Sequence, residues 1–343
     1  GSEVNLKIID VSVEERPTGE ISAGAGIGTS GGAFSFGGKE NNWIGTGKSV
    51  EFILDVDEES LAGTISMNDP NYDYLGNSIN YFLKSESNDK PDQGYENSVV
   101  SAGLGTSFEQ YKNLIVQLGT SFAYDDLRTL DSASTSLKKN SGEFTELAIN
   151  YGLSYDKRDR AFMPTSGSVM SFSQSLPIFS DQPSLFNRFT FSKYYGFSDD
   201  LIGAIKFYGA TITALDDDVR LSKRLNLPGR RLRGFESGKI GPVDAKDYVG
   251  GNYAIAMNFE AALPNLLPEA TQTDVAAFLD LGNLWHVDYD SGIDQSSAIR
   301  SSIGIATNLY TPIGPLNFVF AQDLSSAESD TTQQFKFQIG TSF

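Results

Sequence analysis

Apolar and polar residues alternate with a period of two over most of this chain. Between Leu114 and Tyr124 the even positions are Leu114, Val116, Leu118, Thr120, Phe122 and Tyr124, while the odd ones include Asn113, Gln117, Gly119 and Ser121. From Leu147 to Tyr155 the odd positions are apolar or aromatic, and the even ones are Ala148, Asn150, Gly152 and Ser154. The same design recurs from Tyr253 to Leu263 and in the terminal run Phe335, Phe337, Ile339, Thr341 and Phe343. Successive side chains of a strand point to opposite faces, so each segment has one greasy face and one small or polar face. Such segments predict about sixteen strands. They lie near residues 20–28, 33–42, 48–57, 60–69, 76–87, 96–108, 110–124, 143–157, 167–177, 184–196, 201–213, 251–263, 273–285, 297–310, 314–323 and 332–343.

The polar face decides what the greasy face meets. A soluble sandwich buries its greasy face and sets charge outside. Here the second face is Gly, Ser, Asn and Gln with little Lys or Glu, which suits a wet lumen better than bulk solvent. Aromatics fall near strand ends, at Trp43, Tyr124, Tyr155, Tyr195, Trp285, Tyr310 and Phe343, as in the girdles at a membrane interface. Short turns (Gly45-Thr-Gly47, Glu109-Gln-Tyr111, Ser198-Asp-Asp200, Thr311-Pro-Ile-Gly314) alternate, imperfectly, with longer acidic loops at 125–142, 286–297 and 323–332. The expectation is an all-β, antiparallel transmembrane β-barrel over residues 19–343. Residues 1–18 read as the last strand of a preceding domain plus a linker closed by Arg16-Pro-Thr-Gly19. Gly1-Ser2 reads as a cloning remnant, with a targeting segment and further domains expected upstream.

Composition narrows the chemistry. The 34 glycines, 23 Phe and 15 Tyr among 343 residues suit short strands and turns. No run approaches the roughly 18 apolar residues of a membrane helix, which excludes a helical membrane protein and leaves a barrel open. A net charge of −18 argues against nucleic-acid binding. With no cysteine there is neither a disulfide framework nor a thiolate. The single His286 has no triad around it. The runs Asp55–Glu59 and Asp216-Asp-Asp218 lack the spacing of a calcium loop, and Gly24-Ala-Gly26 leads into no helix. No enzyme activity, cofactor or metal is expected.

One stretch breaks the rhythm. After strand 11 comes a long loop carrying Leu227-Pro-Gly-Arg-Arg-Leu-Arg-Gly-Phe235 and Ile240-Gly-Pro242, with four arginines between Arg224 and Arg233. A long loop in a compact fold is functional or disordered, and ordered turn chemistry favours the former.

These pieces together resemble the barrel of the outer-membrane protein assembly factor family, BamA and its relatives. Asn42-Trp-Ile-Gly-Thr-Gly47 is similar to the family's first periplasmic turn, and Asp156-Lys-Arg-Asp159 with Pro164-Thr-Ser-Gly167 to its mid-barrel turn. Glu15-Arg-Pro-Thr-Gly19 resembles the link from its last periplasmic POTRA domain. Arg233-Gly-Phe235, Ile240-Gly-Pro242, Val249-Gly-Gly-Asn252, Phe259-Glu260, Phe278-Leu-Asp280 with Gly282, Pro312-Ile-Gly-Pro315 and the terminal Phe335-Lys-Phe-Gln-Ile-Gly340 follow in order. There are departures. The loop is short and lacks the cysteine pair of some members, and Pro-Gly-Arg-Arg-Leu stands where relatives often have a Gly-Gly run.

The resemblance implies that the loop folds into the lumen and that Arg233 meets acidic residues of the wall. The residues agree: Glu260 and Asp280 fall on the lumen register of consecutive strands, which lie about 4.8 Å apart. A planar guanidinium suits two carboxylates, Gly234 permits close approach, and Phe235 packs as a wedge. Taken alone, Arg233 reads rather as a solvated loop charge and the two acids as pore lining, and it is the resemblance that favours the lock.

A second expectation concerns the seam between the first and last strands. Ile21, Ala23, Gly24, Ala25 and Gly26 give the first strand little to pack, and Gln338, Gly340 and Phe343 mark the last. Glycine weakens strands. The expected role is a lateral gate at which client β-barrels are templated, folded and inserted; the plainer alternative is that the glycines relieve crowding in the lumen. The resemblance implies unfolded outer-membrane clients, accessory assembly lipoproteins, and the bilayer with its lipopolysaccharide as partners, in the bacterial outer membrane. Rival readings are a two-partner-type protein secretion pore of the same superfamily and a plain diffusion porin.

Overall fold

A computed structural model describes residues 16–268, 273–289, 298–311 and 314–340, together with residues 10, 12, 14 and 293. Sixteen long strands close into one antiparallel barrel. They are β1 (Gly19–Gly28), β2 (Gly31–Glu40), β3 (Ser49–Asp57), β4 (Ser60–Asp69), β5 (Ser78–Lys90), β6 (Tyr95–Tyr111), β7 (Leu114–Thr129), β8 (Gly142–Asp156), β9 (Gly167–Ser180), β10 (Ser184–Ser198) and β11 (Leu201–Ala214). A two-residue-arm hairpin, β12 (Val243–Asp244) and β13 (Asp247–Tyr248), interrupts the series. The barrel resumes with β14 (Tyr253–Leu263), β15 (Thr273–Trp285), β16 (Arg300–Thr311), β17 (Gly314–Ser325) and β18 (Phe335–Gly340), which closes on β1. Every barrel neighbour in sequence is a neighbour in space, so the wall is an up-and-down meander with one long excursion.

The period-two pattern becomes the two faces of this wall. Ile65, Leu83, Leu104, Phe122, Ile149, Ile205, Ile303 and Phe320 stand exposed in a continuous outer belt, and their neighbours point inward. Because cross-strand partners share a face, the register carries each row around the barrel. Asn258, Asp280 and Ser302 form one such inward row. Among the described residues no helix is long and apolar enough to cross a membrane. The strands are what cross.

The buried core is not between sheets; it is made by the excursion after β11 packing on the inner wall. Val219, Leu225, Leu227, Leu232, Phe235 and Ile240 of the loop meet Tyr208, Ile212, Ala254, Ala256 and Leu284. A second cluster joins Leu221 and Val249 of the loop to Leu127, Ala133 and Leu137 at the far end of β7. This explains why β14 and β15 carry Ala254, Ala256 and Gly282 inward: larger side chains would collide with the loop, and a Cβ at Gly282 would lie 3.0 Å from Leu227.

Several details differ from the expectation: the stretch from Asp125 expected to open an acidic loop instead continues β7 to Thr129, its residues still paired across the sheet. The turn placed at Glu109-Gln-Tyr111 lies inside β6, which runs three residues further and turns at Lys112-Asn113, with Asn113 at φ 70°. The hairpin β12–β13 had no sequence signal, since two-residue arms are shorter than any period. Residues 16–18 have no regular structure, and most of the stretch expected to end a preceding domain lies outside the described residues.

Candidate functional site

Arg233 sits where the loop reaches the inner wall. Its Nε donates to Asp280 Oδ2 at 2.7 Å and its NH2 to Asp280 Oδ1 at 2.7 Å, a two-point fork. The backbone N–H of Arg233 also donates to Oδ2, at 3.0 Å. Glu260 Oε1 stands 3.0 Å from the same guanidinium. Asp280 is fully buried and the Arg233 side chain is 12 % exposed. The guanidinium also lies 3.7 Å from the centre of the Phe278 ring. Asn258, buried, donates to both Asp280 (2.8 Å) and the carbonyl of Arg231 (2.9 Å). Ser302, fully buried, donates to the carbonyl of Arg233, and Lys206 on β11 pairs with Glu260.

Gly234 follows at φ +89°, a conformation that side chains disfavour, and its missing Cβ would lie 3.1 Å from both Ser302 and Ala321. The tight turn directs Phe235 into the buried cluster, 4 % exposed, where its backbone bridges to Thr332. The structure thus brings Arg233, Gly234, Phe235, Glu260 and Asp280 together. Lys206, Asn258, Phe278 and Ser302 were not anticipated. All four lie on inward-facing register positions; for Lys206 and Asn258 a charged or amide side chain at lumen parity was the available signal, and Phe278 and Ser302 offered none beyond parity.

The loop is held elsewhere too. Arg220 reaches Asp125 on β7 at 3.2 Å, Lys223 pairs with Glu146 on β8, and Arg224 reaches Asp288 at 2.6 Å. Lys239 bridges Glu236 (2.8 Å) and Asp92 (3.0 Å), and these carboxylates hold its ammonium above the ordinary lysine range. Burial works against the Asp288 carboxylate. The Val219 N–H, Arg224 and Asn252 more than offset it and keep that group below the usual range. Arg300 and Asp330 pair at 2.8 Å, both almost wholly buried, tying β16 to the β17–β18 loop, whose Thr331 pairs with the backbone of Glu236 and Lys239.

The seam contrasts with this. Among the described residues β1 and β18 share three pairs, Gly26–Gly340, Ile27–Ile339 and Gly28–Gln338. On its other side β1 pairs with β2 without a break from Gly19–Glu40 to Gly28–Gly31. Ile21, Ala23 and Ala25 face outward beside the seam, and Gly24 and Gly26 face the lumen. Gly340 has φ +107°, and a Cβ there would lie 2.2 Å from the carbonyl oxygen of Ala25. Phe343 lies outside the described residues. His286 follows β15 and packs near Tyr253, 5.4 Å between rings.

A closed barrel with an apolar outer belt, plugged by an ion-paired inward loop, defines a class of membrane β-barrel. The chain belongs to that class by descent as well: residues 42–343 match the Omp85 superfamily domain, and the chain is a member of that family. It is 28% identical over 348 residues to the outer membrane protein assembly factor BamA of Neorickettsia risticii (strain Illinois), covering 98% of this chain and 46% of that protein. BamA of Neisseria meningitidis serogroup B is 23% identical, with 98% and 48% covered. The chain therefore spans about half the length of these relatives. In structure it is similar to BamA from Haemophilus ducreyi lacking POTRA domains 1-3, with TM-score 0.86, 24% identity, and 96% of this chain and 71% of that one covered. The likeness to CdiB from Acinetobacter baumannii is weaker, TM-score 0.57 at 14% identity over 94% of this chain and 59% of that one, and shows a shared fold alone. This is an integral outer-membrane barrel of the BamA kind.

Proposed function

We propose that the chain folds and inserts client β-barrel proteins at the seam between β1 and β18, with the loop lock holding the rest of the wall rigid. The Gly- and Ala-rich edge that β1 presents, with three described pairs to β18, supports this reading most directly. A strand edge of Gly and Ala offers backbone N–H and C=O groups with little side-chain bulk, which is what β-augmentation by an incoming strand requires. The greasy face of β1 is also thin, so the adjoining bilayer is poorly matched and easier to perturb. The energy comes from client folding, without nucleotide or covalent chemistry. Unfolded outer-membrane clients, accessory assembly lipoproteins and the lipopolysaccharide-bearing bilayer are the partners this role requires.

A photo-crosslinker at Ala23 or Ala25 in the parent protein in cells tests it. Capture of many unfolded outer-membrane proteins through their terminal strands is the expected result. Capture of one secreted partner, or of nothing while the barrel conducts ions steadily, overturns it.

A further inference from the structure

On the face of the wall that meets lipid, the cross-strand row Leu153, Phe172, Phe189, Gly209, Ile255 runs from β8 to β14. Leu153 and Ile255 stand exposed, so the row faces outward, and Gly209 is a gap in it. A Cβ at Gly209 would come 3.2 Å from the Phe207 ring, so a larger residue there would have to move that ring. One step nearer the long loops, the next outward row is polar in its middle: Gln174, Asn187 and Thr211, followed by Tyr253 and Trp285. Between the two rows lies a cavity of about 320 Å3, lined by Phe172, Phe189 and Gly209 together with Asn187, Thr211 and Trp285.

Polar side chains on a lipid face are costly unless they are paired. Here they pair with one another: Gln174 donates to Asn187, and Asn187 Nδ2 donates to the Thr211 hydroxyl oxygen at 3.1 Å. The ladder is not saturated. The Thr211 O–H and the second Nδ2–H of Asn187 have no acceptor among the described residues. The hollow is also held in shape from behind. Tyr208, Ala210 and Ala254 alternate with its lining residues, face inward and pack in the cluster that the long loop completes. Tyr253, which opens β14, and Trp285, which closes β15, stack at 5.6 Å and fix the far side. A preformed pocket spares its ligand the cost of ordering it. The one charged residue along the cavity, Arg188, pairs across the sheet with the inward Ala210 and lies over the Phe186 ring, which puts its guanidinium on the lumen side.

We propose that this hollow holds one acyl chain of a membrane lipid from the leaflet on the long-loop side. The carbonyl that links the chain to its head accepts from Thr211 and Asn187, and the chain fills the gap at Gly209. The hollow is continuous with the apolar belt of an integral outer-membrane barrel, so its occupant comes from the phase that already covers that belt. With no charged group facing it, the site distinguishes the chain and its linkage, and not the headgroup. A bound chain braces from outside the strands β11 and β14, which carry Lys206, Asn258 and Glu260 of the lock on their inner face.

The protein has two tryptophans, Trp285 beside the hollow and Trp43 in the β2–β3 turn. Trp43→Phe leaves Trp285 as the sole indole, and Trp285→Phe leaves Trp43 as the reference. The full chain is placed in bilayers of phosphatidylcholine with brominated chains, which quench nearby indoles. These bilayers are diluted with unbrominated ester-linked or ether-linked phosphatidylcholine of the same chain length; the ether lipid lacks the carbonyl. At Trp285 the ester lipid is expected to relieve quenching at about fivefold lower mole fraction than the ether lipid, the size of one net hydrogen bond. At Trp43 the two lipids should be equivalent. Thr211→Val with Asn187→Leu, in the Trp43→Phe chain, should abolish the preference, with heat-modifiable mobility reporting the folded barrel. Thr211→Val alone, which keeps the side chain's shape, should already reduce it. Equal relief by both lipids at Trp285, the same preference at Trp43, or a preference undiminished in both variants overturns the proposal and marks ordinary lipid contact.

Discussion

The lock at Arg233 and the seam at β1 are built from opposite materials within one wall. At the lock a fully buried carboxylate receives three N–H donors from one residue and a fourth from Asn258, with Phe278 stacked beneath. At the seam, glycine faces glycine at Gly26–Gly340, and the described pairing stops after three positions. The lock is rigid because removing any partner leaves a buried charge unmatched. The seam, among the described residues, has few side chains to remove. A barrel that only needed to stay closed would gain nothing from this contrast, whereas one that must part at a fixed place needs both.

The largest expected effect comes from breaking the lock. Asp280→Ala leaves the Arg233 guanidinium facing Phe278 and a single carboxylate, a loss of about 3–5 kcal/mol for a buried pair. Heat-modifiable gel mobility should shift to a lower melting temperature, and Asp280→Asn should lose less because Asn258 and the Arg233 N–H keep an acceptor. Wild-type mobility in Asp280→Ala would show that the loop is held by its apolar cluster alone.

Next in size is Gly340→Val. A side chain at φ +107° and 2.2 Å from the Ala25 carbonyl oxygen cannot be housed without displacing β18 from β1. Hydrogen exchange of the Ile27 and Gly28 amides should accelerate while that of β14 and β15 stays slow. Equal acceleration in both regions would mean the seam is not an independent unit. Breaking Arg300–Asp330 with Asp330→Asn should come third, loosening the β17–β18 loop and Phe235 while leaving the fork on Asp280 intact. Protease sensitivity near 326–334 reads it.

The smallest effect is a pH dependence far from both regions. In the β8–β9 turn the Thr165 hydroxyl and the N–H groups of Ser166 and Thr165 donate to Asp159 and hold its carboxyl down to about 2. A depressed folded value stabilises the turn above the ordinary aspartate range, and that contribution is lost as pH falls through about 2. Protection of the Thr165 and Ser166 amides should therefore persist at pH 4 and fade near pH 2, and Asp159→Asn should remove the change. Lock and seam probes should not follow it.

How much of this was legible in the sequence follows from what has a period. Parity along β14 and β15 put Glu260 and Asp280 on one face before any coordinates, because cross-strand geometry follows from alternation. Lys206 obeys the same parity and was readable by the same rule. Asp125 lies inside β7 at lumen parity, in the stretch expected to be a loop; Asp288 and Asp330 lie outside the strands, where no period operates, and only the folded chain reveals that they meet Arg224 and Arg300. The bareness of β1 was legible because glycine is a local property. The number of pairs it keeps with β18 depends on register, and in a strand this bare almost nothing in the sequence specifies register.

The central claim is that the seam must part for a client strand to enter. The chain has no cysteine, so Ile27→Cys/Ile339→Cys places one disulfide across β1–β18, and Ala25→Cys/Phe34→Cys places a control across β1–β2. Insertion of a reporter barrel into vesicles is measured oxidised and reduced. The account predicts that oxidation stops insertion in the seam variant, that reductant restores it, and that the control is indifferent to both. Full insertion through an oxidised seam would contradict it.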